Sequence, residues 1–146
     1  LDKKANQPVL VALAILYQEG QFLMQLRDDI PGIPYPGRWG LFGGHLEAGE
    51  TPQEGLQREL LEEISYSVPK LIKFGCYGDS RVIRHVYHAP LTVSLEQLVL
   101  QEGQDLGLLS PEAICQGSSY STKAAQVRPL GEIHQQILLD FLKAEL

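Results

Sequence analysis

The residues that could do chemistry in this chain are concentrated in one acidic stretch. Between Glu47 and Glu63 stand six acids, Glu47, Glu50, Glu54, Glu59, Glu62 and Glu63, against one base, Arg58. Six acids less one base give that segment a net charge of -5 out of -6 for the whole chain, so the remainder is almost neutral. Like charges packed this densely repel, and a fold avoids the arrangement unless something cationic is held there. On a helical wheel at about 100° per residue, Glu59, Glu62 and Glu63 fall within an arc of about 100°, at i, i+3 and i+4. Such a cluster of hard oxygen ligands suits Mg²⁺ or Mn²⁺, especially when substrate phosphates complete the shell. A solvated acidic helix face is the plain alternative, and charge alone does not separate the two. Gly55 lies inside the carboxylate arc, where the missing side chain leaves room for a second backbone or a ligand. Leu56, Leu60 and Ile64 form an adjoining i, i+4, i+8 stripe able to anchor the helix to a sheet.

The spacing around these acids forms a longer pattern. Gly44 is followed after five residues by Glu50, after seven more by Arg58-Glu59-Leu60, and then by Glu62-Glu63 and Ser65-Tyr66. This stretch of 23 residues, Gly44 to Tyr66, resembles the Nudix box, G-x5-E-x7-R-E-U-x-E-E-x-G-U, where U is a bulky aliphatic. Two positions depart from it: Ser65 stands where the family has glycine, and Tyr66 where it has an aliphatic residue. A serine held in the left-handed conformation at that helix end costs about 1 kcal/mol relative to glycine.

The resemblance implies an α/β fold, an α/β/α sandwich with a mixed β-sheet, a catalytic loop-helix and a C-terminal amphipathic helix. It implies a metal-dependent pyrophosphohydrolase that cleaves a nucleoside diphosphate linked to another moiety, by attack of water on a phosphorus. The cofactor would be Mg²⁺ (or Mn²⁺). Glu59, Glu62 and Glu63 would coordinate or bridge the metal, joined by the backbone carbonyl of Gly43. Arg58 would orient the glutamates and Glu50 would hold the loop against the helix. Which glutamate takes the proton is left open. Glu102, in a loop after the box, is a candidate further ligand or base, with a solvated turn residue as the alternative. The substrates implied are a (deoxy)nucleoside triphosphate or a nucleotide sugar. A homodimer is common in the family. A Nudix-fold module that binds a nucleotide without cleaving it, in a regulatory role, is the second reading.

Positioning these residues requires a framework, and the sequence outlines one. Val9–Leu16 is an apolar, β-branched run, and Gln21–Arg27 alternates; Glu19-Gly20 between them predicts a hairpin. Asp28–Arg38 holds three prolines and two glycines, which predicts a stiff irregular loop. Trp39–Phe42 is a short apolar stretch ending at Gly43-Gly44. Thr51-Pro52-Gln53-Glu54 carries a capping box with proline at the first helical position, so a helix is expected to about Ile64. Leu71–Tyr77, Val82–Val93 and about Glu96–Leu100 are expected strands. Ser110-Pro111-Glu112 opens a short helix, and Leu130–Leu146 repeats apolar residues at helical spacing.

Other side chains carry weaker expectations. Arg27, at a strand end, could meet substrate phosphates or make a surface ion pair. Tyr35 is a candidate stacking platform in the proline-glycine loop. Trp39 and Phe42 are expected as core anchors. Arg81, Arg84, His85 and His88 suggest a solvated basic strand face, with a phosphate-facing patch as the alternative, His45 an exposed loop residue and His134 a helix-surface residue. Cys76 and Cys115, 39 positions apart, are expected as core-like thiols in a reducing cytoplasm rather than a disulfide. At 146 residues, 44% hydrophobic and 21% charged, the chain fits one domain, 1–146, with no signal-peptide layout and no apolar run long enough for a membrane span. The acidic balance argues against gripping a nucleic acid polymer.

Overall fold

The computed structural model describes residues 7–144. The main sheet is mixed, in the order β3-β2-β1-β6-β5, with β4 also paired to β1 and β7 to β2. Its strands are β1 (Val9–Gln18), β2 (Gln21–Leu26), β3 (Trp39–Gly40), β4 (Phe42–His45), β5 (Ile72–Gly78), β6 (Val82–Pro90) and β7 (Asp105–Leu109). Helix α1 (Pro52–Ile64) covers one face, and α2 (Pro111–Gln116) and α3 (Glu132–Lys143) cover the other, giving the expected α/β/α sandwich. A separate hairpin joins β8 (Ser118–Ser121) to β9 (Gln126–Pro129).

The central strand explains its own composition. Ala12, Ala14 and Leu16 of β1 pack towards α1, while Leu13 and Ile15 pack towards α3. A strand buried on both faces has no polar side, hence the continuous apolar run. Glu19 and Gly20 both take positive φ (52° and 76°), the type I′ geometry that lets β2 fold straight back on β1. Beyond Tyr17↔Phe22 the two strands diverge, and β4 takes up β1 from Val11↔His45 to Ala14↔Phe42. On its other side β1 runs parallel to β6, from Val9↔Val82 to Tyr17↔Pro90. The sheet therefore splits beside β1.

Helix α1 starts as its capping box requires. Thr51 Oγ1 accepts from the Glu54 amide at 3.2 Å, and Glu54 Oε1 accepts from the Thr51 amide at 3.1 Å. Leu56, Leu60 and Ile64 are fully buried against the sheet. Gly55 makes room for neighbouring protein: a side chain there would strike Leu46 and come within 3.0 Å of Glu50 Oε1. At the other end Ser65 is left-handed, φ 54° and ψ 40°, the conformation that glycine adopts without penalty.

Several elements differ from the sequence expectation. Glu96–Leu100 is not a strand; it begins as a 3-10 turn, Leu95–Gln97. The following residues bond to the helix instead of the sheet, with the Val99 amide donating to Ile64 O and the Gln101 amide to Glu63 O. Strand β6 ends at Pro90, not Val93, because the chain turns there to meet Tyr17 and Gln18. Strand β7 contains Gly107 and few β-formers, and β8–β9 is largely polar, so neither announced itself. The expected Leu130–Leu146 helix spans Glu132–Lys143, and residues 145–146 lie outside the described part. Trp39 and Phe42 are core residues as expected, but Cys76 and Cys115 are exposed free thiols.

Replacing Ser65 with glycine should raise unfolding stability by about 1 kcal/mol in urea titration. Metal dependence should stay unchanged, because the Ser65 side chain makes no contact with the carboxylates.

Candidate functional site

Arg58 organises the acidic helix. Its guanidinium pairs in bidentate fashion with Glu50 (Nε to Oε2 2.8 Å, Nη2 to Oε1 3.0 Å). It also donates to Glu59 Oε1 at 2.9 Å and, more loosely, to Glu62 Oε2 at 3.4 Å. A further bond from Nη2 reaches the His45 carbonyl at the end of β4. Glu50 in turn accepts from the Glu47 amide at 2.7 Å, so the loop, the helix and β4 are tied through one cation. Arg58 and the Glu47 amide hold the Glu50 carboxyl below its ordinary range, while Glu50's bonds keep Arg58 firmly charged.

Glu63 is the most enclosed acid, with 5% of its surface exposed. It accepts from the Gly43 amide at 3.1 Å and from Gln25 Nε2 at 3.2 Å. Burial first, then the Glu59 charge, pushes its pKa up to about 8. Burial also raises Glu59, against the pull of Arg58. Two glycines permit this crowding. A side chain at Gly44 would come within 2.7 Å of the Glu59 carboxylate, and one at Gly43 (φ 144°) would collide with the Ala12 carbonyl on β1.

Glu102 reaches the same place from the loop before β7. Gln104 bonds back to β2, its amide to Leu26 O and its side chain to Arg27 O, while Gly103 lies too near Leu26 O to carry a side chain. Glu102 adds to the repulsion felt by Glu59 and Glu63.

One cavity of about 450 Å³ gathers these groups. Gly43, Gly44, Glu59, Glu63 and Glu102 line one part of its wall, and Pro34, Tyr35, Leu41 and His134 line another, with Arg27 and Arg84 also on it. Of the residues singled out from sequence, Glu59, Glu63, Glu102, Gly43, Arg27 and Tyr35 thus come together. Arg58 and Glu50 stand behind them, and Glu62 lies outside the cavity wall with 60% of its side chain exposed, held by Arg58. His45, also on the wall, is exposed. Arg27 Nε is buried with no partner, a donor left waiting for an acceptor.

Three residues on or beside the cavity depart from or escaped the sequence reading. His134 is buried, not on a helix surface. Arg84 faces the cavity rather than solvent, because it shares its strand face with Val82 and the buried Val86. His88 of the same face packs on Phe141 with ring centres 5.2 Å apart, while Arg81 is exposed as expected. Gln25 was missed altogether. A lone amide inside Phe22-Leu-Met-Gln25-Leu was the available signal, since a buried polar side chain needs a partner.

The sequence profile of the NUDIX domain matches residues 7–132, so the chain belongs to the Nudix family. It is 33% identical over 86 residues to "Oxidized purine nucleoside triphosphate hydrolase" of Danio rerio, a match covering 55% of this chain and 53% of that protein. The chain therefore spans about half the length of that relative. It is 27% identical over 117 residues to "Nucleoside triphosphatase NudI" of Escherichia coli, covering 70% of this chain and 82% of the relative. The NUDIX domain of Shewanella oneidensis NrtR, solved with ADP ribose, superposes with a TM-score of 0.75 at 19% identity, covering 100% of this chain and 94% of that one. That likeness concerns the fold.

Nudix hydrolases generally use divalent metal ions, and the donor set here fits one. Acids that burial and neighbouring charge make hard to ionise, bordering an open cavity, are groups a hard dication would relieve. Among the described residues no three such side chains are already placed to hold an ion, and Glu62 is turned to Arg58 outside the cavity wall.

The raised carboxyl has a measurable consequence. Folded Glu63 keeps its proton to about pH 8, whereas unfolded it loses it near 4.5. The folded state binds more protons across that window, so metal-free stability falls as pH rises through it. Melting curves in chelator should show Tm dropping by on the order of 5 °C from pH 5 to 8. Mg²⁺ should reverse the drop, and Glu63→Gln should flatten it.

Proposed function

We propose that this chain is a divalent-metal-dependent pyrophosphohydrolase that acts on a nucleoside triphosphate, with Mg²⁺ (or Mn²⁺) as its ion. The observation that carries this reading is the make-up of one cavity wall: carboxylates, two arginines and an aromatic-apolar patch. Those are the groups that the metal-bound phosphates, the outer phosphate oxygens and the nucleoside of one substrate would need. The names of the zebrafish and Escherichia coli relatives support a triphosphate over the nucleotide sugar that the box alone also allows.

Glu59, Glu62 and Glu63 would hold the ion, with Gly43 supplying a backbone oxygen and Glu102 a further carboxylate. The chemistry a dication supplies in such a site is neutralisation of phosphate charge and acidification of water. The protein's own part is positional. Arg58 and Glu50 keep α1 and the loop in register, so that the carboxylates need not reorganise during reaction. Arg27 offers its unpartnered Nε–H, and Arg84 its guanidinium, to phosphate oxygens. One glutamate of the cluster would take the proton from the attacking water. Tyr35, Pro34 and Leu41 exclude water from the nucleoside. The two free thiols suit a reducing cytoplasm, and among the described residues no helix is long and apolar enough to cross a membrane.

The test is release of pyrophosphate and nucleoside monophosphate from a panel of triphosphates and nucleotide sugars, with and without Mg²⁺. Turnover should require the metal, and Glu59→Gln, Glu62→Gln and Glu63→Gln should each lower kcat by about a hundredfold or more with folding retained. Nucleotide binding without any turnover would instead favour the non-cleaving regulatory module. Arg58→Lys, which keeps the charge but loses the bidentate fork, should also cost at least about tenfold in kcat.

A further inference from the structure

His134 occupies an unusual position for a histidine in the first turn of a helix. It is 7% exposed, and its Nδ1 accepts a hydrogen bond from the Leu41 amide at 3.1 Å. An imidazole nitrogen that accepts from an amide carries no proton, so the ring proton resides on Nε2. Burial, with the charges of Arg84 and Arg27 nearby, pushes its pKa down to about 3, so the ring stays neutral and the tautomer does not change with pH. The one side-chain hydrogen bond of His134 among the described residues is that to Nδ1, so Nε2–H is left to the cavity that the ring lines.

The surroundings keep this donor in place. Tyr35 meets the ring edge to face, with centres 5.4 Å apart and planes at 85°. Tyr35 itself takes φ 50°, a conformation non-glycine residues adopt only under constraint. Its loop is clamped by Arg128, whose Nε donates to Gly37 O at 2.7 Å. The Gly131 amide donates to Trp39 O, which seats the start of α3 on β3. A side chain at Gly131 would come within 2.9 Å of His134 Cδ2 and 3.3 Å of Tyr35, so the pair depends on a glycine there.

His134 and the carboxylates are positioned by one short segment: the Leu41 amide holds His134 and the Gly43 amide, two residues on, holds Glu63. Both side chains line the same cavity, so a nucleotide whose phosphates meet the carboxylates can present its base to the histidine. Resting on the proposed nucleotide reading, we infer that His134 selects the base: its Nε2–H donates to an exocyclic carbonyl, so that 6-oxopurine and 4-oxopyrimidine nucleotides are preferred over their amino counterparts. An exocyclic amine at the same position presents a donor to a donor, leaving both unpaired in a dry site.

The experiment compares matched pairs, ITP with ATP and UTP with CTP, by kcat/KM at saturating Mg²⁺ and by Kd of their α,β-methylene analogues. The native chain should favour the oxo member by about tenfold or more, and the difference should lie in KM and Kd rather than kcat. His134→Phe and His134→Met, which lack the donor, should bring both ratios to near 1; His134→Gln, which keeps an acceptor for Leu41 and an amide donor, should retain part of the preference. If His134→Phe does not fold, the Met and Gln variants carry the comparison. Turnover with no oxo preference in the native chain, or with ratios unchanged in a folded donorless variant, overturns the inference and leaves the proposed function standing. Failure of every nucleotide to bind or turn over overturns both.

Discussion

The cost of burying the Glu63 carboxyl beside the Glu59 charge, in a poorly solvated corner, is what the surrounding structure has to contain. Desolvation raises both carboxyls, and the Glu59 charge makes ionisation of Glu63 harder still, while Glu62 and Glu102 act on Glu59. The compensation comes from three directions. Arg58 draws on Glu59 from the solvent side, the Gly43 amide binds Glu63 from β4, and Gln25 binds it from β2. Each of these lies on a different element, so the elements must meet for the acids to be tolerated. Stored repulsion of this kind is expected where a dication and its phosphates are to be received.

The split in the sheet is the architectural answer. A continuous β1–β2 pairing would seal the space between them with ladder hydrogen bonds. Because β2 leaves β1 after the turn and β4 replaces it, Gln25 and the Gly43 amide both remain free to address a side chain arriving from α1. The two glycines at 43 and 44 are the local requirement for that meeting, one for its approach to β1 and the other for its approach to Glu59. Arg58 approaches the same cluster from the loop side, through Glu50, Glu59 and the His45 carbonyl at the end of β4.

Much of this was legible in the order of residues, for identifiable reasons. The capping box, the apolar stripe at Leu56, Leu60 and Ile64, and the Glu19-Gly20 turn are local signals, and local signals survive folding. Ser65 was expected to be left-handed because its place in the box demands it, and it is. What stayed hidden depends on distant partners. Nothing near His134 indicates that Leu41, 93 residues away, will bond to it. Arg84 reads as solvated in a basic run because only the parallel pairing with β1 decides which face is covered. Glu96–Leu100 looks like a strand by composition, but the segment starts as a turn and the Val99 and Gln101 amides find carbonyls at the end of α1 rather than a sheet edge.

That last connection makes the acidic loop an extension of the helix. The Val99 and Gln101 amides close carbonyls that α1 would otherwise leave open, and Glu102 is the next residue in the chain. Fraying of the helix end and release of the Glu102 loop are therefore one event, not two. Glu102 is thus fixed from both sides, by Val99 and Gln101 on the helix end and by Gly103 and Gln104 against the end of β2.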